Sequence, residues 1–437
     1  MKRALLFFYA LGIVLAICAQ SPQQDIKQNL NISGGCFYAY PGPQQQQLTP
    51  APGNKKPFYI SHFGRHGSRY PTKTEDFTFI IETLQRGEKD HMLTPLGSDV
   101  LQRVIRMEQE AHLRQGELTS LGAQQHREIA ERMIKRFPTV FKGDVTVEAR
   151  STTSIRAILS MANAVMRLQA LNPQLRINLD GSQHDMNYLR HNDEWLIEQS
   201  QNEKNVAMYN DFLDTHTPWQ RVVKQLYADT TYINQHVDGK KLSNYLFRLA
   251  SVVQGMDIRN TVTLYDLFSI EELYENWRKD NVFWYLSYSF SPNNGGKVPF
   301  AQRFLLRNII EQADSCLKLK RPGATLRFGH DTALLPLVCL LGINHFDLQT
   351  YDLDEMERCG WADYKMIPMA GNLQLVFYRN GINDKDVLVK VLLNENEATL
   401  PLKTDVAPYY HWHDFRDYYL QRINAYDKER AQENAKD

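Results

Sequence analysis

The sequence predicts an α/β protein with a three-layer core, a mostly parallel central sheet and an inserted α-helical subdomain. Three observations carry this reading. There are strand-like runs at residues 58–63, 145–149 and 324–328, helical periodicity between them, and a polar, aromatic-rich stretch over 172–320 without β alternation. A chain of 437 residues with 43% apolar content can bury the core this requires.

In chain order, residues 1–19 read as a signal peptide. Lys2 and Arg3 precede an apolar run over 5–17, and Ala19 offers a small residue for cleavage. Export, periplasmic or extracellular, is the expectation, with a lipid-anchored form through Cys18 as the alternative. Residues 20–56 are polar and broken by prolines, and read as an N-terminal arm. The run 58–63 then reads as a buried strand that stops at Gly64. Thr94 and Thr119 sit as caps before two helices. In the second, Leu121, Gln125, Ile129, Met133 and Phe137 recur at four-residue steps and form one face against a core. Residues 145–149 are the next strand and 154–171 the next helix. Within 172–320 the helical stretches fall at 193–213, 266–286 and 301–318. The strand signal returns at 324–328, followed by a helix over 332–341 and a hairpin pairing 373–378 with 387–393. The core thus comprises 57–171 and 321–425, with the helical insertion at 172–320.

Acidic and basic residues number 50 each, and loss of the leader leaves 48 basic against 50 acidic, a net charge of −2. No global field marks a nucleic-acid binder, so attraction for an anion must be local. Beyond the leader no segment is apolar for long enough to span a bilayer. Cys36, Cys316, Cys339 and Cys359 show no C-x-x-C spacing and read as structural bridges or buried thiols. His411, His413 and Asp414 read as an aromatic surface patch rather than a metal site, and Trp284, Tyr285 and Tyr288 as core or lid. Neither a Walker loop nor a dinucleotide glycine fingerprint is present, and the expected chemistry needs no cofactor or metal.

That chemistry begins where the first strand ends. Arg65 and Arg69 flank His66, while Gly64 and Gly67 let backbone approach a ligand closely. Planar guanidinium forks suit phosphate oxygens, and an imidazole held between them faces a phosphorus whose charge is being neutralised. Such an imidazole can attack in line.

Arg65, His66, Gly67, Arg69 and Pro71 match the R-H-G-x-R-x-P signature, and the chain resembles the histidine acid phosphatases, the larger branch of the histidine phosphatase superfamily. The resemblance implies a phosphomonoester hydrolase with a phosphohistidine intermediate on His66. It also implies a third phosphate-binding arginine after a later strand. Arg156, in the block 151–156, is the matching position, and Arg150 competes with it. Expelling an alcohol requires a proton, and the family pairs a histidine with an acid for that task. Of His184-Asp185, His330-Asp331 and His413-Asp414, only the second follows an apolar strand and opens an apolar helix, where an anion is favoured. Asp331 is therefore expected as general acid and His330 as a phosphoryl ligand. The blocks 57–70 and 328–341 are similar to the multiple inositol polyphosphate phosphatases and histidine acid phytases, which implies a small phosphate ester such as phytate as partner. The multiple inositol polyphosphate phosphatases usually carry His-Ala-Glu at the acid position, whereas this chain has His-Asp, the form of classical acid phosphatases and histidine acid phytases, so positional specificity does not carry over. Broad activity on small phosphomonoesters, mutase chemistry and non-catalytic phosphate binding are the alternatives.

Overall fold

The computed structural model describes residues 21–190 and 193–435, so the leader at 1–19 lies outside the described residues. Eight strands form one sheet: β1 (Lys56–Arg65), β2 (Thr146–Ser151), β3 (Arg176–Asp180), β4 (Gly323–Gly329), β5 (Asn372–Arg379), β6 (Leu388–Leu393), β7 (Asn396–Glu397) and β8 (Tyr409–His411). Their order is β3-β2-β4-β1-β5-β6-β7, with β8 paired to β6. The first four in that order are mutually parallel. Strands β5 to β8 extend the sheet antiparallel, and β5 with β6 forms the expected hairpin.

Every residue of β4 and β5 is buried, as are the last seven of β1, which is why these strands read as mostly apolar runs, with Arg327 a buried exception in β4. Strand β3, at the sheet edge, is only five residues long with four of them exposed, and its alternation of Ile177 and Leu179 is too short to stand out from the polar stretch around it. It is the one described strand within 172–320.

Helices Ser120–Arg136 and Ile155–Leu171 cover one face, burying Ala130, Met133, Met161 and Leu168 against Ile60, Val147, Ala149, Leu326 and Phe328. Thr119 caps the first of them through the Gly122 amide, at 3.2 Å. Helices Arg303–Leu317, Asp331–Leu341 and Trp412–Asn434 cover the other face, where Ile309, Leu334, Leu337 and Phe415 meet Phe63, Leu375 and Phe377. A further apolar core lies off the sheet. In it Ile80 and Leu84 of helix Glu75–Lys89 and Val100 and Val104 of Pro95–Ala111 join Leu242 and Leu246 of Gly239–Val253 and Trp277 of Ile270–Tyr288. Residues 22–37 form a helix and a 3₁₀ segment that pack on this helical layer.

Two histidines are sealed into the first interface. His62 on β1 and His126 lie with ring centroids 5.4 and 5.6 Å from Phe328. Burial pushes both down to about 3, so the folded protein holds them neutral. The unfolded chain binds protons at these sites as pH falls below about 6.5, the ordinary histidine value. Their contribution is complete above that pH and is lost on descent toward 3, at about 1.4 kcal/mol per pH unit per group. Denaturant titrations at pH 7 and pH 5 should therefore show a marked loss of stability at the lower pH. The loss should be smaller in His62→Phe, and an unchanged difference would put the proton uptake elsewhere.

Candidate active site

The carboxyl ends of β1, β2 and β4 meet on one side of the sheet, the place where open α/β folds collect ligands. Beyond β1 the chain is held from several directions. The His66 amide donates to Gly329 O at 2.9 Å, the Arg65 amide to Gly371 O at 2.8 Å, and the Ala370 amide to His66 O at 2.9 Å. The Gly67 amide donates to Ser160 Oγ at 3.1 Å and that of Ser68 to Gln125 Oε1 at 2.9 Å. A Cβ on Gly67 would lie 2.4 Å from Gly122 O, so any larger residue would push the loop off helix Ser120–Arg136.

Arg65 is fully buried. Its Nη1 donates to the carbonyls of Cys36 and Ile367, the latter at 2.5 Å, and its Nη2 meets Asp331 Oδ2 at 2.5 Å. His66 Nδ1 lies 2.9 Å from Gly67 O. A carbonyl can only accept, so Nδ1 carries the proton and Nε2 keeps a free lone pair. Burial, followed by the charges of Arg65, Arg69 and Arg156, holds this imidazole well below its ordinary value. A neutral, lone-pair-bearing ring thus sits among three cations.

His330 stands edge-on to His66, with ring centroids 5.5 Å apart. Its Nδ1 faces Arg156 Nη2 at 3.5 Å, and since guanidinium only donates, its Nε2–H donates to Thr152 Oγ1 at 3.0 Å. Burial, and then the Arg156 charge, lowers its pKa. Asp331 opens helix Asp331–Leu341, and its Oδ1 accepts from the Thr332 amide at 2.8 Å. Burial pushes its carboxyl up, but the charges of Arg65 and then Arg69 outweigh that and hold it below the usual value. Arg69 is placed by the Tyr70 carbonyl, at 3.0 Å, and lies 5.4 Å over the Phe37 ring. Among the described residues the buried Nε atoms of Arg69 and Arg156 have no hydrogen-bond partner. These are donors an anion could use.

The structure thus brings Arg65, His66, Arg69, Arg156, His330 and Asp331 together. Arg150 is left elsewhere: it pairs with Glu148 at 3.0 Å and faces Asp185 at 3.5 Å, lining a separate cavity of about 760 Å³. His413 and Asp414 pair with each other at 3.0 Å on the surface, and His411 bonds Asp386 and Asp405. Among the described residues no group of three or more His, Cys, Asp or Glu could hold a metal ion. The four cysteines among the described residues, Cys36, Cys316, Cys339 and Cys359, are free thiols.

Several contributors carry no motif. Thr152 orients His330, and the Cys36 and Ile367 carbonyls orient Arg65. A cavity of about 420 Å³ opens beside Asp331 and Arg69 and reaches Asn244, Arg248, Lys279 and Trp284 on the helical layer. Lys279 is buried and bonded to Asn244 and Asn276, while Arg248 pairs with Asp76. Only the block 151–156 hinted at Thr152, and the others lie far from the motif in sequence.

Residues 63–394 match the family model of the histidine phosphatase superfamily, branch 2. The human multiple inositol polyphosphate phosphatase 1 is 23% identical over 394 residues, covering 83% of this chain and 78% of the relative. Among solved structures, the Bifidobacterium longum multiple inositol polyphosphate phosphatase in complex with inositol hexasulfate superposes with a TM-score of 0.64 at 16% identity, covering 87% of this chain and 96% of that one. The phytase of D. castellii gives 0.67 at 14% identity, covering 95% and 90%. With a family match across most of its length, the chain belongs to branch 2 of the histidine phosphatase superfamily, as an enzyme of phosphatase type.

Proposed function

We propose that the protein hydrolyses inositol polyphosphates such as phytate through a phosphohistidine on His66. The observation that carries this is the convergence of three guanidinium groups on a neutral imidazole whose Nε2 lone pair is free. Arg65, Arg69, Arg156 and His330 bind the phosphoryl oxygens. His66 Nε2 attacks phosphorus, the ester P–O bond breaks, and the leaving oxygen takes the Asp331 proton. Water then attacks phosphorus, the P–N bond breaks, and the water's proton passes to the Asp331 carboxylate as phosphate leaves. In the resting site Asp331 is ionised against Arg65. An arriving phosphate dianion competes for that guanidinium and places negative charge beside the carboxyl, and both effects favour its protonation.

The choice of polyphosphate over a simple ester is supported by the cavity beside the site, where Arg248 and Lys279 stand alongside Asp280 and add basic side chains beyond the arginines that bind one phosphoryl group. The names of the relatives point the same way. The predicted leader makes export the cellular address of this reading.

His66→Ala should abolish phosphate release from both para-nitrophenyl phosphate and phytate, and a variant of full activity would end the proposal. Asp331→Asn should lower turnover of phytate by about 10²- to 10⁴-fold. The loss on para-nitrophenyl phosphate should be much smaller, because its phenolate leaves without a proton.

Because burial and the arginines keep His66 unprotonated well into acid, the acid limb of kcat/KM should show no ionisation near 6.5. A pH–rate profile with such a step would contradict the site as drawn. Lys279→Met should raise KM for phytate by about 10-fold, the equivalent of one charged hydrogen bond, while leaving that for para-nitrophenyl phosphate nearly unchanged. Equal effects on the two substrates would remove the polyphosphate assignment and leave a broad-specificity phosphatase.

A further inference from the structure

The guanidinium of Arg65 takes its orientation from two carbonyls, those of Cys36 and Ile367, that belong to chain segments at opposite ends of the sequence. Both segments are tied to one residue. Asp363 is wholly buried. Its backbone carbonyl accepts from the Ile367 amide at 2.7 Å. Its side chain lies against the Gly35–Cys36 turn, where a Cβ on Gly35 would sit 2.5 Å from Asp363 Oδ2. Gly35 has φ +53 there, a conformation suited to glycine. The far side of the carboxylate is anchored: Oδ1 accepts from Trp277 Nε1 at 3.0 Å and from the Tyr364 amide at 2.8 Å. Burial pushes the carboxyl up to about 6, while the Trp277 hydrogen bond and the amides of Cys36 and Tyr364 favour its charged form. Phe37, next along the turn, is the ring beneath Arg69.

We propose that Asp363 is a positioning residue of the active site, setting the Arg65–Asp331 pair by holding the Gly35–Cys36 turn and the Ile367 carbonyl on either side of the Arg65 guanidinium. Nothing in the R-H-G-x-R-x-P motif or the His-Asp pair includes it, and it touches neither substrate nor reacting atoms. The inference rests on the hydrolytic reading above.

Asp363→Asn keeps an acceptor for Trp277 and replaces the carboxylate oxygen that faces the Gly35–Cys36 turn with an amide NH₂ that the turn must accommodate. Gly35→Ala disturbs the same contact from the opposite side. Both variants should lower kcat on para-nitrophenyl phosphate by about 10- to 100-fold, the scale of a misplaced catalytic group, with a smaller change in KM. Both should also move the alkaline limb of kcat/KM for phytate, whose leaving alcohol needs the Asp331 proton, to higher pH. Arg65, with Arg69, holds the Asp331 carboxyl down, so a displaced guanidinium lets the acid stay protonated further up the scale.

Trp277→Phe is the control. It removes only the anchor on the far oxygen and should lower thermal stability without shifting the alkaline limb. Wild-type kcat and wild-type limbs in Asp363→Asn and Gly35→Ala, whatever their melting temperatures, would overturn the proposal. So would an equal limb shift in Trp277→Phe. If Asp363→Asn does not fold, Gly35→Ala alone decides the matter. Absence of phosphate release by the wild-type chain would instead remove the hydrolytic reading beneath it.

Discussion

Placing Arg65 at the end of β1 with no solvent contact commits the surrounding chain to compensating a charge that desolvation penalises by several kcal/mol. Two carbonyls and one carboxylate meet that demand, and each comes from a different part of the fold: residue 36 from the N-terminal turn, residue 331 from the first turn of a helix, residue 367 from the approach to β5. The same charge acts on its neighbours, lowering Asp331 and helping to keep His66 unprotonated. The geometry and the electrostatics of the site therefore have a common origin.

Under the proposed mechanism, the resting Arg65–Asp331 contact also accounts for how an acid depressed in the free protein would serve as a proton donor. An ion pair at 2.5 Å with one partner 17% exposed is strong enough to hold the site in register and open enough to be contested by a ligand. A phosphate that takes the arginine frees the carboxyl from the cation that kept it ionised. Protonation of the acid is then coupled to occupancy rather than to bulk pH alone.

Much of this was legible in the sequence because buried strands and capped helices write themselves locally. β1 and β4 appeared as runs bounded by glycine, and helices Pro95–Ala111 and Ser120–Arg136 were announced by Thr94 and Thr119. The residues of the motif and of the His-Asp pair are adjacent in sequence and could be read as groups. Strand β3 was not, since its alternation of Ile177 and Leu179 spans only five residues at an exposed edge and is lost among the polar residues around it. The shared core of Ile80, Val100, Leu246 and Trp277 was equally hidden, because helical periodicity shows which face is buried but not against what. Within the site, Thr152, Arg248 and Lys279 carry no signature of their own, and a backbone carbonyl such as that of Cys36 or Ile367 is invisible to any reading of side chains.

The route by which the N-terminal turn reaches Arg65 has a bearing on biosynthesis. Residues 36 and 367 stand at nearly opposite ends of the chain, and β1 itself is flanked by β5, which begins at Asn372. A nascent polypeptide already displaying His66 and its arginines still lacks a wall of the site until Ile367 and β5 have been made. Contacts so distant in sequence close late in folding. The ability to cleave a phosphate ester is thereby deferred until β5 has joined β1.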